Sequence, residues 1–377
     1  MERKRVPLGN YITEYSVRNR SGEDIPVYSV TNSQGFCTEY FDKEVASKDK
    51  TTYKIVPRGY FAYNPSRINV GSVDWQRCEG RVIVSPLYNV FSVSEKMEQQ
   101  YLFYFLKSNV GKQMIKAKAS GSVRDNLKMD MLKEMTIPER TIEEQKKCVA
   151  TLDKLKTIIS LWEKELKKLD DLIKARFVEL FGEPRINPFG FEKMMLKDTC
   201  KVITGNTPSR AVDDYYGNYV EWIKTDNIVS GILNPTKASE SLSEKGMRVG
   251  RTVDANAILM ACIAGSVTSI GRVCVTNRTV AFNQQINAVV PEKYNVLFLY
   301  TLLQISKDYL VEDINMSLKG ILSKSRLEEK AFIVPPMELQ NDFANFIKQV
   351  DKSKVAVQKA LEESQLLFDS LMQEYFG

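Results

Sequence analysis

The chain has no histidine among its 377 residues. Histidine is the side chain best suited to acid–base chemistry near neutral pH and a common metal ligand. Its absence therefore excludes Ser-His-Asp triads and argues against most zinc or non-haem iron sites. The sequence also lacks GxxxxGK[ST], and no GxG motif follows a predicted strand. We expect neither a phosphate-binding loop nor a dinucleotide or S-adenosylmethionine loop of the usual kind.

Cysteine and long apolar runs are equally scarce. No stretch approaches 18 uncharged apolar residues, and the basic N-terminal segment lacks the apolar run of a secretory signal, so we expect a cytoplasmic protein without a membrane segment. No CxxC pair occurs, which predicts buried thiols in a reduced protein, with disulfides or metal ligation as the alternative. The six cysteines are Cys37, Cys78, Cys148, Cys200, Cys262 and Cys274.

What the chain does contain is typical of a core-forming protein. Apolar residues make up 43% and charged residues 27% of a length sufficient for two domains. The net charge is +6, but residues 143–182 carry only +1 and residues 338–377 carry −3. The excess positive charge, +8, therefore lies in the rest of the chain. Either a surface that faces phosphates or a solvated basic face would produce this distribution.

The sequence repeats itself at a constant offset of 195 positions, from about 120–182 to 315–377. LIKARFVELFG in the first copy aligns with LFDSLMQEYFG in the second, and Gln145 of TIEEQ aligns with Gln340 of MELQ. A period this long is unlike that of a solenoid. It indicates a duplicated module in which a variable region precedes a helix.

Apolar residues at spacings of three and four predict a long amphipathic helix at the end of each copy. The predicted seam residues are Leu152, Leu155, Ile159, Trp162, Leu166, Leu169, Ile173 and Leu180 in the first helix, and Ile347, Val350, Val357, Leu361, Phe368, Leu371 and Tyr375 in the second. Lys354 and Ser364 interrupt the second seam. About 38 residues give roughly 57 Å per helix. We expect an antiparallel coiled coil; alternatively, each stripe covers its own domain.

The regions before the helices contain short β-type runs separated by Gly, Pro and Asn, such as IPVYSV and GRVIVSP in the first and NAILMACIAG in the second. This spacing predicts compact, mostly β domains, each ending in a short amphipathic helix. The predicted fold class is α+β: two mostly β domains joined by two long antiparallel coiled-coil helices, in a duplicated, pseudo-two-fold module. The predicted segments are domain 1 (1–140), a central helix (141–183), domain 2 (184–335) and a C-terminal helix (336–377).

Two short motifs resemble catalytic sequences only in part. NPSR at 64–67 begins like the Asn-Pro-Pro-aromatic motif of amino-methyltransferases but has Arg67 where an aromatic residue is required. EWIK at 221–224 has one residue too many for the Glu-x-Lys of nucleases. We therefore assign no catalytic residue and no metal site to this chain.

Loops rich in Asn, Gln, Ser, Thr, Arg and Lys remain as candidate functional elements. Arg and Lys suit guanine edges, Asn and Gln suit adenine edges, and hydroxyl groups suit phosphates. Solvated surface or turn formation is the alternative for each side chain, framework hydrogen bonding is an equal alternative for the Gln pair, and Gly205 and Pro208 can serve only to shape a turn. The predicted DNA contacts are Asn32, Asn64, Arg67 and Arg77 in domain 1, and Thr207, Ser209, Arg210, Lys224, Asn227, Gln284 and Gln285 in domain 2.

The order of several motifs resembles that of specificity subunits of type I restriction–modification enzymes. These motifs are MLKDTCKVITGNTPSR, YYGNYVEWIKTDNI, FNQQINAVVP, FIVPPMELQ and the LFG and YFG helix endings, with looser versions such as VPLGNYITEY, IPVYSVTNSQGF and TIPERTIEEQ in the first half. The resemblance covers essentially the whole chain. The first half departs from it, because TIPERTIEEQ lacks the double proline and domain 1 lacks a TPS-type loop.

The resemblance implies two target-recognition domains that each read one half of a bipartite, asymmetric site on double-stranded DNA, with the paired helices setting the gap. It further implies a non-catalytic subunit that binds no cofactor. Such a subunit recruits two modification subunits, which methylate adenine N6 with S-adenosylmethionine, and restriction subunits that translocate and cut DNA.

Three other functions stay open at this level. One is the equivalent subunit of a related system that cuts on both sides of a bipartite site. Another is a coiled-coil scaffold without a nucleic-acid role, which the +8 outside the helices disfavours. A lone nuclease or methyltransferase is the least favoured, because no catalytic motif is complete.

Overall fold

The structure is a computed structural model that describes residues 3–38, 49–77, 80–119, 126–264, 269–312, 314 and 320–377. The chain forms two compact units. The first unit comprises Met1–Glu163 with Lys359–Gly377, and the second comprises Lys164–Gln358. Each unit therefore includes part of both long helices, so that the units cut across the four segments drawn from the sequence. That four-segment division stays a prediction.

Among the residues that the structure describes, the first unit has short strands and three short α-helices before the first long helix begins. Its strands are β1 (Arg5–Pro7), β2 (Ile12–Glu14), β3 (Ser29–Thr31), β4 (Gly35–Cys37), β5 (Lys54–Pro57), β6 (Phe61–Tyr63), β7 (Val73–Trp75), β8 (Arg81–Val84), β9 (Asn89–Val93) and β10 (Thr136–Pro138). Its helices are α1 (Gln99–Lys107), α2 (Asn109–Ala119), α3 (Met129–Lys133) and the N-terminal part of α4 (Ile142–Phe181).

The second unit begins within α4 and repeats this pattern. Its strands are β11 (Lys193–Met195), β12 (Cys200–Thr204), β13 (Tyr216–Ile223), β14 (Ser241–Leu242), β15 (Thr252–Val253), β16 (Ile258–Ala261), β17 (Ile263–Ala264), β18 (Val273–Val275), β19 (Val280–Phe282), β20 (Ile286–Pro291), β21 (Gly320–Ile321) and β22 (Ala331–Ile333). Its helices are α5 (Glu244–Val249), α6 (Val296–Ile305), α7 (Lys307–Val311), α8 (Lys324–Glu329) and the N-terminal part of α9 (Met337–Phe376), whose end belongs to the first unit.

The two units share one sheet topology. The main antiparallel sheet has the order β2-β9-β6-β7 in the first unit and β12-β20-β16-β18 in the second. In each unit, the first strand of the chain segment also pairs with the strand that precedes the long helix. β1 pairs with β10, where Val6 lies opposite Ile137, and β11 pairs with β22, where Met194 lies opposite Phe332. A further sheet in the second unit pairs β13 with β19 in parallel. The predicted α+β class with a duplicated module is confirmed.

Each long helix has 40 residues and contains neither proline nor glycine. At the start of α4, the Thr141 hydroxyl accepts a hydrogen bond from the Glu144 N–H (3.2 Å) and the Glu144 carboxylate accepts one from the Thr141 N–H (2.9 Å). This reciprocal capping box satisfies two N–H groups that an unfinished helix end leaves unpaired. Gly182 ends α4 with a φ of 71°, a conformation that costs glycine little.

Contacts within the second unit show that α4 and α9 run antiparallel. The Lys354 ammonium lies 2.7 Å from the Asp170 carboxylate. Further along α4, the Phe177 ring lies 5.5 Å from that of Phe343, which comes earlier in α9. Lys354 thus interrupts the apolar seam as one half of an ion pair, and Ser364 bonds to the backbone of its own helix. All fifteen predicted seam residues are buried or half-buried.

A cluster of aromatic rings holds α6 against both long helices in the second unit. Phe298 of α6 is fully buried and lies 4.8 Å from Phe181 and 5.5 Å from Phe177 of α4, measured between ring centroids. Its ring is 6.5 Å from that of Phe343 in α9. In the first unit, Phe376 at the end of α9 is the counterpart of Phe181 in the sequence repeat. Its ring lies 5.0 Å from that of Tyr101 in α1. The recognition region and the helices therefore share one core in each unit.

A buried glutamine near the start of each long helix is hydrogen-bonded to the start of a short helix, α1 in the first unit and α6 in the second. Gln145 accepts a hydrogen bond from the Glu98 N–H, and Gln340 accepts one from the Asn295 N–H, both at 2.9 Å. The Gln340 amide also donates to the Pro335 carbonyl at 2.8 Å. Both glutamines are 1% exposed. Because Gln145 and Gln340 align in the sequence repeat, this join explains why both copies keep a glutamine there.

We expect Gln340→Leu to lower the free energy of unfolding by roughly 2–4 kcal/mol, since it leaves the Asn295 N–H and the Pro335 carbonyl without their partner in the core. Urea unfolding of the full chain measures the change. Gln349→Leu is the matched control, because Gln349 is exposed on the same helix. A Gln340 variant as stable as the Gln349 variant would show that the join contributes nothing.

The described cysteines are all free thiols. Cys148, Cys200, Cys262 and Cys274 are buried, Cys37 is half-buried, and Cys78 lies outside the described residues. Burial raises the pKa of the thiols of Cys200, Cys262 and Cys274 to about 12. Within the described ranges, no helix combines the length and apolar character that a membrane crossing requires.

Candidate nucleic-acid interface

Two cations of the second unit lie on a pair of aromatic rings, which we call the aromatic shelf: Tyr216 and Trp222 of β13. The Arg210 guanidinium is 4.2 Å from the Tyr216 ring centroid and 5.3 Å from that of Trp222. The Lys224 ammonium is 5.1 Å from the Trp222 centroid. Trp222 is only 4% exposed, so its ring is held in place by the surrounding core. Arg210 and Lys224 come from different loops, and cation–π attraction holds both on the shelf.

Glu240 forms ion pairs with both of these cations. One carboxylate oxygen contacts Arg210 and the other contacts Lys224. These hydrogen bonds from Lys224 and Arg210 hold the pKa of Glu240 below its ordinary value, so the carboxylate is ionised. The backbone N–H of Trp222 donates to the Glu240 carbonyl at 3.0 Å, which fixes the glutamate backbone beside the shelf.

The loop that carries Arg210 passes close to the backbone of Phe282 and Asn283. A Cβ atom on Gly205 would lie 2.1 Å from the Asn283 carbonyl oxygen, so only glycine fits there. Asn206 then holds the loop: its side chain donates to the Val249 carbonyl at 2.9 Å and accepts from the Arg251 N–H at 2.8 Å. Gly205 therefore shapes the loop that carries Arg210, which agrees with the turn-forming role considered for it in the sequence.

Three further predicted contacts lie beside this loop on the surface. Thr207, Ser209 and Gln284 are exposed. The Thr207 hydroxyl donates to the Gln284 side chain, which joins the loop to the turn between β19 and β20. Together with Arg210 and Lys224, these side chains form one polar surface, which we call the shelf surface. Its cations and hydrogen-bonding groups suit phosphates and base edges.

The side chains of Asn227 and Gln285 form hydrogen bonds within the protein, and their predicted DNA contacts stay predictions. Asn227 is 8% exposed, accepts from the Lys224 N–H and donates to Thr236 and to a backbone carbonyl. Gln285 is half-buried, and its side chain accepts from the buried Asn283 amide at 3.2 Å. Because a buried amide with satisfied hydrogen bonds cannot reach a base, this geometry favours positioning of the Lys224 loop over the predicted base contact for Asn227.

The partial nuclease motif EWIK does not form a metal-binding arrangement. The Glu221 carboxylate is paired with Arg278 and also accepts from the Ala238 N–H at 2.9 Å. Lys224, at the other end of the motif, lies on the shelf with Glu240. Across the described ranges, no three cysteine, aspartate or glutamate side chains gather in a way that could hold a metal ion.

In the first unit, Arg77 lies on an aromatic ring as Arg210 does. Its guanidinium is 4.2 Å from the Trp75 centroid and 2.8 Å from the Asp74 carboxylate, and it donates to Gln100 at 3.2 Å. Asp74 is buried and also accepts from two backbone N–H groups, those of Phe36 and Trp75. Arg77 is half-buried in this network. The network restricts how far it can reach toward DNA.

Asn32 and Arg77 both line a cleft of about 580 Å³. Lys107 of α1 donates to the Asn32 side chain at 3.3 Å and to the Gly71 carbonyl. Burial lowers the pKa of Lys107. The ring of Phe103 has the cations of Arg77 and Lys107 within 5.5 Å of its centroid. Lys107 and Phe103 are not among the contacts predicted from the sequence, because the pattern around them indicates only an amphipathic helix.

The remaining two predicted residues lie in the turn that follows β6. The Asn64 side-chain oxygen accepts from the Ser66 N–H at 3.1 Å and from the Ser66 hydroxyl at 2.9 Å, so it forms an Asx turn. Arg67 is exposed in the same turn. The NPSR segment thus shapes a surface turn from which Arg67 projects, and its role in binding DNA stays a prediction.

The comparisons with known proteins cover both halves of the chain. The family described as the type I restriction modification DNA specificity domain matches residues 8–171 and 188–364. The type I restriction enzyme MjaIX specificity subunit of Methanocaldococcus jannaschii is 24% identical over 303 residues, which are 72% of this chain and 67% of that protein.

Two solved structures share the fold. One, from work on complex assembly and conformational transition of the type I R-M system, has a TM-score of 0.65 at 17% identity, over 99% of this chain and 97% of its own. The S subunit of a type I restriction–modification system from M. genitalium has a TM-score of 0.57 at 13% identity, over 100% of this chain and 96% of its own. With the family matched over both duplicated halves, the protein belongs to the specificity subunits of type I restriction–modification systems.

Proposed function

We propose that each unit reads one half of a bipartite, asymmetric site on double-stranded DNA. Members of this family are the DNA-recognition components of type I systems and are non-catalytic in general. The observation that carries the proposal is that the two units repeat the same sheet order while their loops differ. A shared framework with different loops is what two readers of different half-sites require, because base readout depends on loop side chains.

In the second unit, the shelf surface is the proposed reading surface. Arg210 and Lys224 are cations on a rigid aromatic floor, and Thr207, Ser209 and Gln284 place hydrogen-bonding groups beside them. Phosphate contacts supply affinity and position the protein, and base-edge contacts supply specificity. In the first unit, Asn32, Arg67 and Arg77 are the corresponding candidates.

The long helices are proposed to set the number of unread base pairs between the half-sites. Each helix has 40 residues, or about 60 Å at 1.5 Å per residue, and contributes residues to both units. In each unit, a buried glutamine and the aromatic core attach the recognition region to the long helices. The number of helical residues between these attachments is therefore set by the sequence.

The scaffold role is proposed to include recruitment of two modification subunits, which methylate adenine N6 with S-adenosylmethionine, and of restriction subunits. The cofactor would then be bound by the modification subunit, and this chain would contribute no catalytic group. A partner that is present twice suits a scaffold whose framework is present twice.

A methylation assay tests this division of labour. The full chain, the modification subunit encoded beside it, and a mixture of both are each given duplex DNA and radiolabelled S-adenosylmethionine. Only the mixture is expected to label adenine N6. Labelling by this chain alone would contradict the proposal, as would labelling by the modification subunit alone at the same rate as the mixture.

A further inference from the structure

We propose that Glu240 acts as a built-in competitor of the DNA backbone: its carboxylate occupies Arg210 and Lys224 when DNA is absent, and a phosphate must displace it. The carboxylate thereby lowers affinity for DNA that lacks the target site. This inference rests on the proposed function, because it requires that Arg210 and Lys224 contact DNA.

The geometry of the carboxylate matches what a phosphate offers. The two oxygens of Glu240 each bind a different cation, as two non-bridging phosphate oxygens do. Glu240 is not the sole contact of these cations, because Arg210 also lies on Tyr216 and Trp222 and Lys224 also lies on Trp222. An exchange of carboxylate for phosphate therefore needs little rearrangement of the shelf.

The exposure of the cations makes this exchange possible. The side chain of Arg210 is 56% exposed and that of Lys224 is 28% exposed, while Glu240 is 33% exposed. Ion pairs at such exposure are weak, and a DNA strand that offers several phosphates can displace them. Displacing the carboxylate costs the same free energy in every complex. A complex with target DNA gains base contacts that offset this cost, so target binding stays strong while binding through phosphates alone becomes weak.

A second carboxylate in the same unit shows the contrasting case. Glu312 also bridges an arginine and a lysine, Arg185 and Lys330, and both cations lie near the Tyr309 ring. The side chain of Lys330, however, is only 9% exposed. Arg185 is 63% exposed, but a phosphate cannot reach both cations of this cluster because Lys330 is nearly buried. Glu312 is therefore poorly placed to compete with DNA for both of its cations.

The test is Glu240→Gln in the full chain, with a fluorescein-labelled 30-base-pair duplex of scrambled sequence as the probe. We expect the duplex to bind about three- to tenfold more tightly at 0.1 M salt, because two cations become available for phosphate. The slope of log affinity against log salt should become steeper by no more than about one, because the same two cations contact phosphate in both proteins and only one negative charge is removed. Glu312→Gln, which removes the same charge, is the control and should change neither quantity by as much.

Two outcomes separate this inference from the function on which it rests. Unchanged or weaker duplex binding by Glu240→Gln, with thermal melting as in the wild type, would overturn the competitor. If replacing Arg210 and Lys224 also leaves duplex binding unchanged, the proposed DNA contact of the shelf surface fails as well. If that replacement weakens binding while Glu240→Gln does not tighten it, only the competitor is wrong.

Discussion

Replacing Arg210 and Lys224 together by glutamine is expected to weaken binding of duplex DNA by about 10- to 100-fold near 0.1 M salt. Each phosphate contact that is lost lowers the magnitude of the salt slope by about 0.9, so the double variant should lose nearly two. The aromatic shelf stays in place, because Trp222 is buried and does not need the cations for its packing. Fluorescence anisotropy across a salt series measures both quantities.

The matched control for this prediction removes two positive charges from elsewhere in the same unit. Lys348 and Lys352 are exposed on α9, away from the recognition loops in the chain. Their double replacement by glutamine should change the affinity less and leave most of the salt slope. Equal losses in the two double variants would mean that net charge alone governs binding and that the shelf surface is not a contact site.

Phe298→Ala is expected to lower the free energy of unfolding by about 3–5 kcal/mol, a large effect for one side chain. The Phe298 ring is fully buried and packs against rings from both long helices, including Phe177 at 5.5 Å and Phe181 at 4.8 Å. Its removal leaves a cavity at the point where α6 joins the helices. Urea unfolding followed by circular dichroism measures the loss.

Phe189→Ala serves as its control, since Phe189 belongs to the same unit but is 57% exposed. We expect that variant to change the free energy of unfolding by less than about 1 kcal/mol. A Phe298 variant that unfolds at the same urea concentration as the Phe189 variant would show that α6 and the long helices do not share a core.

Periodic features of this chain could be predicted from its sequence. The helices follow from apolar spacing alone, since the residues of one helix face recur every three or four positions. The Gln145–Gln340 equivalence was visible in the repeat, although the contacts that it makes were not. The same holds for Lys354, which interrupts the seam in the sequence and pairs with Asp170 in the structure.

Features that depend on contacts distant along the chain could not be predicted. Glu240 lies 30 residues from Arg210, and no local pattern links them. Whether a polar side chain reaches solvent or the protein interior is decided by tertiary packing: Asn227 is buried in one polar loop, and Ser209 is exposed in another. Lys107 illustrates the same limit, because only the folded chain brings it to Asn32.

We expect this chain to direct methylation to two half-sites at a fixed separation. Co-expression of the full chain with its neighbouring modification subunit, followed by genome-wide mapping of methylated adenines, tests it most directly. The expected result is one motif with two different half-sites and an invariant number of unspecified base pairs between them. A continuous palindrome, a gap that varies from site to site, or no methylated motif would contradict it.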